Sequence, residues 1–103
     1  MSGIAGLFYL DGRPVDQADL PRMMAALAHR GPDEAGLWRR GPVGLGHCML
    51  RTTPESLREH LPLPSRDGTV VLTADARIDN RAELIKTLEL ADRPAAVVTD
   101  SEL

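Results

Sequence analysis

An α+β fold is predicted by three features of the 103-residue sequence. A short unbroken apolar run opens the chain, glycine-punctuated strand-like segments fill its middle, and two stretches carry apolar residues at helical spacing. Hydrophobic residues make up 43% and charged residues 26%, the ordinary balance of one small globular domain. Only Phe8, Tyr9 and Trp38 are aromatic, so a core must be built mainly from Leu, Val, Ile, Ala and Met.

The first element is a strand over Ile4 to Leu10, whose continuous apolar character predicts cover on both faces. Asp11-Gly12-Arg13-Pro14 is a turn signature. Leu20, Met23, Met24, Leu27 and Ala28 then recur at three- and four-residue spacing, with Met23 and Met24 read as helix core and helix flank. Pro21 belongs in the first turn of that helix, which places the start near Asp19, and His29-Arg30-Gly31-Pro32-Asp33 stops it.

Gly36 to Arg39 and Val43 to Leu50 read as two strands joined at Gly41-Pro42, with Arg39-Arg40 as a solvated strand end. Gly44 and Gly46 imply that something packs closely on one face of the second strand. A loop punctuated by Pro54, Pro62 and Pro64 leads to an Asp67-Gly68 turn and a β-branched strand over Thr69 to Ala74. Asn80 and Glu83 have capping-box spacing ahead of a short helix that should bury Leu84, Ile85 and Leu88. Thr99 and Glu102 repeat the signal just before the last residue, so the chain is expected to be truncated at its C-terminus.

Several function classes are disfavoured. A net charge of −3 argues against a nucleic-acid or anionic-membrane surface. Cys48 is the sole cysteine, which excludes an intrachain disulfide and fits a reducing, cytoplasmic setting; it could be a reactive thiol but reads rather as a small buried or half-exposed hydrophobic side chain. Ile4 to Leu10 is too short to span a membrane and lacks the layout of a signal peptide. His29 and His47 have no third ligand at helical or hairpin spacing, so they read as a turn histidine and a strand-packing histidine, with no metal site. Asp75, Arg77 and Asp79 lie at period two and could pair on one strand face, a modest surface interaction.

Four stretches, in this order, resemble the N-terminal part of class II glutamine amidotransferases of the asparagine-synthetase family. They are Met1-Ser2-Gly3-Ile4-Ala5-Gly6, His29-Arg30-Gly31-Pro32-Asp33, Leu45-Gly46-His47 with Leu50, and Ile78-Asp79-Asn80 with Leu84. Thr99-Asp100-Ser101-Glu102 falls where that family has an aspartate-containing helix start, so the resemblance covers nearly the whole chain. It implies an N-terminal-nucleophile hydrolase fold, an αββα sandwich of which roughly the first half is present. A lone half leaves sheet edges and one face uncovered, and its independent stability is expected to be poor.

The resemblance also implies a chemistry. In the family an N-terminal cysteine, freed of methionine, attacks the glutamine side-chain amide while its α-amine, titrating near about 7.7–8.0, handles the proton. Ser2 stands at that position as a weaker nucleophile. The arginine that binds the substrate carboxylate is replaced by Met49, which cannot pair with a carboxylate. The Asn-Gly pair of the oxyanion hole is replaced by Asp75-Ala76, which puts a negative charge where an oxyanion must form. Asp100 matches the aspartate that holds the substrate amine. The expected reading is a degenerate, glutaminase-inactive site.

Relatives that kept the fold and lost the nucleophile include β-lactam synthetases and lasso-peptide cyclases, and the residues around Met49 to Ser56 and Asp75 to Arg81 look most like the latter. That likeness implies a following synthetase domain that uses ATP and magnesium to activate a carboxylate of a precursor peptide. No residue of this chain is assigned to ATP or magnesium. The expected partners are that synthetase domain and the peptide, with no nucleic acid and no membrane. Two other readings stay open: a glutaminase working through Ser2, and a non-catalytic docking module.

Overall fold

The computed structural model describes residues 1–103, apart from the side chain of Ala96. The chain divides into two compact units, Met1–Leu50 with His60–Asp75, and Arg51–Glu59 with Ala76–Leu103. The mixed helix and antiparallel-sheet content is α+β, as the sequence predicts.

In the first unit, strand β1 (Gly3–Phe8) pairs antiparallel with β3 (Val43–Met49), which pairs antiparallel with β2 (Glu34–Arg40), giving the order β1-β3-β2. Gly41, at a positive φ of 53°, turns β2 into β3. Helix α1 (Asp19–Leu27) carries Pro21 in its first turn, where the missing N–H costs nothing. It runs on as a 3-10 turn over Ala28–Arg30 until Gly31, inside the expected stop at His29 to Asp33, takes the chain out of helical geometry.

The helix lies on the sheet face that carries Ala5 and Cys48, and these two residues form the core cluster with Leu20 and Met24; Met24 is thus core and Met23 only partly buried beside it, the reverse of the expected assignment. Burial of Leu20 and of Met24 contributes on the order of 1.5–3 kcal/mol each. Gly44 and Gly46 on β3 make room for the helix. A Cβ on Gly46 would stand 2.3 Å from Met24 Sδ, and one on Gly44 would stand 3.1 Å from Leu20. The close approach expected from those glycines is therefore that of α1. Cys48 is buried beneath the helix, its thiol 3.6 Å from the Met24 carbonyl.

Several expectations need correction here. The first strand ends at Phe8: Tyr9 N–H still donates in register to the Pro42 carbonyl at 2.9 Å, but Pro42 has no N–H to return, and Gly12, at φ 81°, closes the turn that follows. Cover on both faces is not found. Ile4 and Phe8 are 50% and 65% exposed, since α1 covers only the alternate residues. The strand expected over Thr69 to Ala74 shrinks to β5 (Val71–Leu72), paired with β4 (Leu63–Pro64) inside the presumed loop. Beyond Pro64 the ladder gives way to a turn: Ser65 N–H donates to the Val70 carbonyl at 2.8 Å, but Val70 N–H goes to the Ser65 hydroxyl at 3.1 Å instead of a backbone carbonyl. A tight turn joins the two strands, with Asp67 accepting from the Ser65 hydroxyl at 2.7 Å and from Thr69 N–H at 3.1 Å.

The second unit holds helix α2 (Arg81–Thr87) and 3-10 turns at Glu55–Arg58, Ala95–Val97 and Asp100–Glu102. The capping box at Thr99 and Glu102 forms, with Thr99 N–H donating to the Glu102 carboxylate at 2.8 Å. The one expected at Asn80 does not: the Asn80 amide instead bonds the Glu83 side chain at 3.3 Å. On α2 Ile85 is buried, whereas Leu88 is exposed because the chain turns away at the helix end. Arg77 and Asp79 pair at 3.0 Å as exposed side chains, on irregular backbone and not on a strand face. Among the described residues, no helix is long and apolar enough to cross a membrane.

Candidate functional site

Ser2 enters the structure one residue ahead of β1, where the pairing of Gly3 with Cys48 brings it alongside Met49. Alternation along the strands sets the faces. Gly46 and Cys48 look toward α1, so His47 and Met49 occupy the opposite face. Ser2 and Met49 are both buried. The Ser2 hydroxyl accepts the Leu50 backbone N–H at 2.9 Å, and its own hydrogen points to Met49 Sδ at 3.8 Å. A thioether is a weak acceptor and no base, so the Met49 and Leu50 contacts hold the hydroxyl in place and neither of them withdraws its proton.

The His29-to-Asp33 stretch braces this strand end. Asp33 N–H donates to the Met49 carbonyl at 3.0 Å, and Gly31 fits directly against the Cys48 carbonyl, where a Cβ would stand 2.0 Å away. His47 is 1% exposed, and its Nδ1 is 2.9 Å from the Thr73 hydroxyl. That bond fastens the segment leading to Asp75 to the middle strand. His29 is exposed in its 3-10 turn, as a turn histidine should be. Among the described residues, no three His, Cys, Asp or Glu side chains are grouped so as to hold a metal ion.

Asp75 and Ala76 are both exposed; Asp75 belongs to the first unit and Ala76 to the second. Asp100 lies in the second unit, where its carboxylate accepts Ile78 N–H at 3.1 Å and forms an ion pair with Arg81. Ser2 and Met49 are thus brought together directly, and Asp100 is engaged by a cation of the chain itself. Sequence reasoning missed Arg81, Thr73 and the Leu50 N–H. Arg81 had left a signal: a cation in the first position of a helix opposes the helix dipole, so another interaction must hold it there.

A family model described as a glutamine amidotransferase domain matches residues 1–103. The chain belongs to that family. Three curated relatives agree. One, from Methanothermobacter thermautotrophicus and named as a candidate glutamine amidotransferase, is 52% identical over 46 residues, 44% of this chain and 15% of its own length. Another, from Methanocaldococcus jannaschii and named as a candidate glutamine-hydrolysing asparagine synthetase, is 31% identical over 90 residues, 82% of this chain and 17% of its own. The glutamine-hydrolysing asparagine synthetase 1 of Arabidopsis thaliana is 38% identical over 63 residues, 61% of this chain and 11% of its own.

The amidotransferase domain is thus related to asparagine synthetases, and the matches span only 11% to 17% of these relatives' lengths. No solved structure matches it.

Proposed function

We propose that this domain is the N-terminal part of an ATP-dependent, asparagine-synthetase-like enzyme that forms amide bonds, and that it has lost glutamine hydrolysis. The observation that carries this reading is the surrounding of Ser2. Its hydroxyl is buried between the Leu50 N–H and the Met49 thioether, with no basic side chain bonded to it. The place beside the hydroxyl is filled by an apolar group that cannot bind a substrate carboxylate. Asp75 would oppose an oxyanion, and Asp100 is already paired with Arg81.

The fold in this reading is the first half of an N-terminal-nucleophile αββα sandwich. Support comes from the antiparallel sheet with α1 on one face and the apolar residues Ile4 and Phe8 uncovered on the other. The length of the asparagine synthetase relatives supports a synthetase domain after this one, which would bind ATP and magnesium. With no ammonia to deliver, such an enzyme would activate a carboxylate and let an amine of the same substrate attack it. A lasso-peptide cyclase, closing a ring on an Asp or Glu of a precursor peptide, fits that chemistry.

Glutaminase action through Ser2 is the second reading, favoured by the names of the two asparagine synthetase relatives and by the fixed orientation of the Ser2 hydroxyl. One assay separates the two. The intact protein is incubated with glutamine and glutamate release is followed, alongside pyrophosphate release from ATP with a candidate peptide. Pyrophosphate without glutamate is the expected result. Sustained glutamate release from the unmodified protein overturns the proposal.

A further inference from the structure

Within the unit of residues 51–59 and 76–103, three oxygens converge on one side chain. The Asp100 carboxylate and the Val98 carbonyl both accept from Arg81, and the Ala95 carbonyl accepts Arg81 Nη2 at 3.1 Å. The other Asp100 oxygen is fixed by Ile78 N–H at 3.1 Å. The Arg81 and Asp100 side chains are only 19% and 12% exposed, so the pair is largely withdrawn from water. This is a cradle with one negative charge and two neutral acceptors, the complement of a cation with several N–H donors.

Arg81 does not occupy it for the sake of its helix. It opens α2, where its charge faces the positive end of the helix dipole, and its guanidinium turns back to the 95–100 segment. A planar guanidinium with five donors satisfies all three oxygens at once, which a shorter ammonium on the same stem could not.

We infer that Arg81 is a built-in occupant of a cation subsite, and that it closes Asp100 to the ammonium group of a free amino acid. The identity of this subsite as the amine end of the glutamine site rests on the functional reading above; the cradle and its occupant do not. The ligand class is an organic cation bearing several N–H donors, an alkylguanidinium or a primary ammonium. Removing the arginine side chain should leave a vacancy that such an ion fills from solution.

The test is chemical rescue in the intact protein. Arg81→Ala and Arg81→Gln are titrated with methylguanidinium or methylammonium chloride, against sodium chloride at the same ionic strength. The backbone N–H of Ile78 is followed by NMR, since it touches the Asp100 carboxylate directly. Arg81→Ala should bind methylguanidinium saturably, at least about tenfold tighter than the unmodified protein does, and the Ile78 signal should move back toward its native position. Should Arg81→Ala unfold, recovery of the native amide spectrum on adding methylguanidinium is the same result in another form. Arg81→Gln keeps donors to the carbonyls and lacks the charge, so it should take up methylammonium beside Asp100.

Equal binding of either ion by the unmodified protein at Ile78 overturns the inference. So does failure of both variants to respond to the organic cations beyond the sodium control. Glutamate release plays no part in this readout, so an active glutaminase would sink the functional proposal and leave this result standing.

Discussion

Thr73 Oγ1 lies 2.9 Å from Nδ1 of His47, joining the segment after β5 to the middle strand of the main sheet. The imidazole is buried and the hydroxyl half-buried, so loss of the hydroxyl would leave a ring nitrogen poorly satisfied away from water. Thr73→Val, which keeps the shape, should destabilise the domain by about 1–3 kcal/mol, and Thr73→Ser should recover most of it. The urea midpoint of the domain in the intact protein measures both. Equal stability of the Val variant and the native protein would show the bond to be idle.

Restoring the thiol alone should not restore glutamine hydrolysis. Ser2→Cys returns the attacking group, yet Met49 still fills the space at its side, and in the proposed reading Asp75 still opposes the oxyanion. A missing oxyanion donor typically costs about 10²–10³ in rate. Glutamate release should therefore require Met49→Arg and Asp75→Asn together with Ser2→Cys, with Ala76→Gly as a further aid. Robust turnover by Ser2→Cys alone would show that Met49 and Asp75 are not at the substrate site.

Gly46→Ala should destabilise the domain by about 1–3 kcal/mol through overpacking against α1. Its new methyl would meet Met24 Sδ at 2.3 Å. Met24→Ala creates the room and should cost stability by itself, but the double variant should lose less than the two single losses added together. A double-mutant cycle from denaturation midpoints tests this; strict additivity would mean that helix and strand move apart instead.

The turn between β4 and β5 should weaken only in strong acid. The Ser65 hydroxyl, then the backbone and hydroxyl of Thr69, hold the Asp67 carboxyl down to about 2. A depressed carboxylate stabilises the folded form fully above its unfolded value, near 3.9. That contribution fades as pH falls from there toward about 2. The Ser65 and Thr69 amide signals should titrate together over this range, and Asp67→Asn should abolish the titration. A midpoint at an ordinary carboxylate value would contradict the hydrogen-bond arrangement.

Residues 1–103 prepared alone should self-associate, because Ile4, Phe8 and Val70 present apolar surface to water. Sedimentation should show concentration-dependent association that Ile4→Thr with Phe8→Ser reduces. A monomer with one cooperative thermal transition would refute this.

The sequence made the local elements legible wherever a short-range rule governs them. Pro21 marked the first turn of α1, Gly41-Pro42 marked the β2–β3 turn, and Gly44 with Gly46 announced the helix against β3. The failures lie where distant residues decide. Whether β1 is covered twice depends on what packs beyond α1, and β5 is short because the Ser65 hydroxyl draws Val70 N–H out of the backbone ladder. Motif comparison singled out Ser2, Met49 and Asp100 by position, but only folding brings Leu50 N–H to Ser2 and Arg81 to Asp100. Asn80 shows the limit of spacing: the right interval with Glu83 gave a side-chain pair, not a cap.

Two glycines in the same sheet face different futures under mutation. At Gly46 the obstacle is a side chain, so a change there can be accommodated by a smaller residue at position 24, and homologous sequences should show the two sizes varying together. At Gly36 the obstacle is the Leu61 carbonyl, 2.0 Å from where a Cβ would be. No exchange of residue 61 removes a backbone oxygen. Position 36 therefore has no compensating partner of that kind, and lineages that keep residues 60–64 laid across β2 should be unable to leave glycine there.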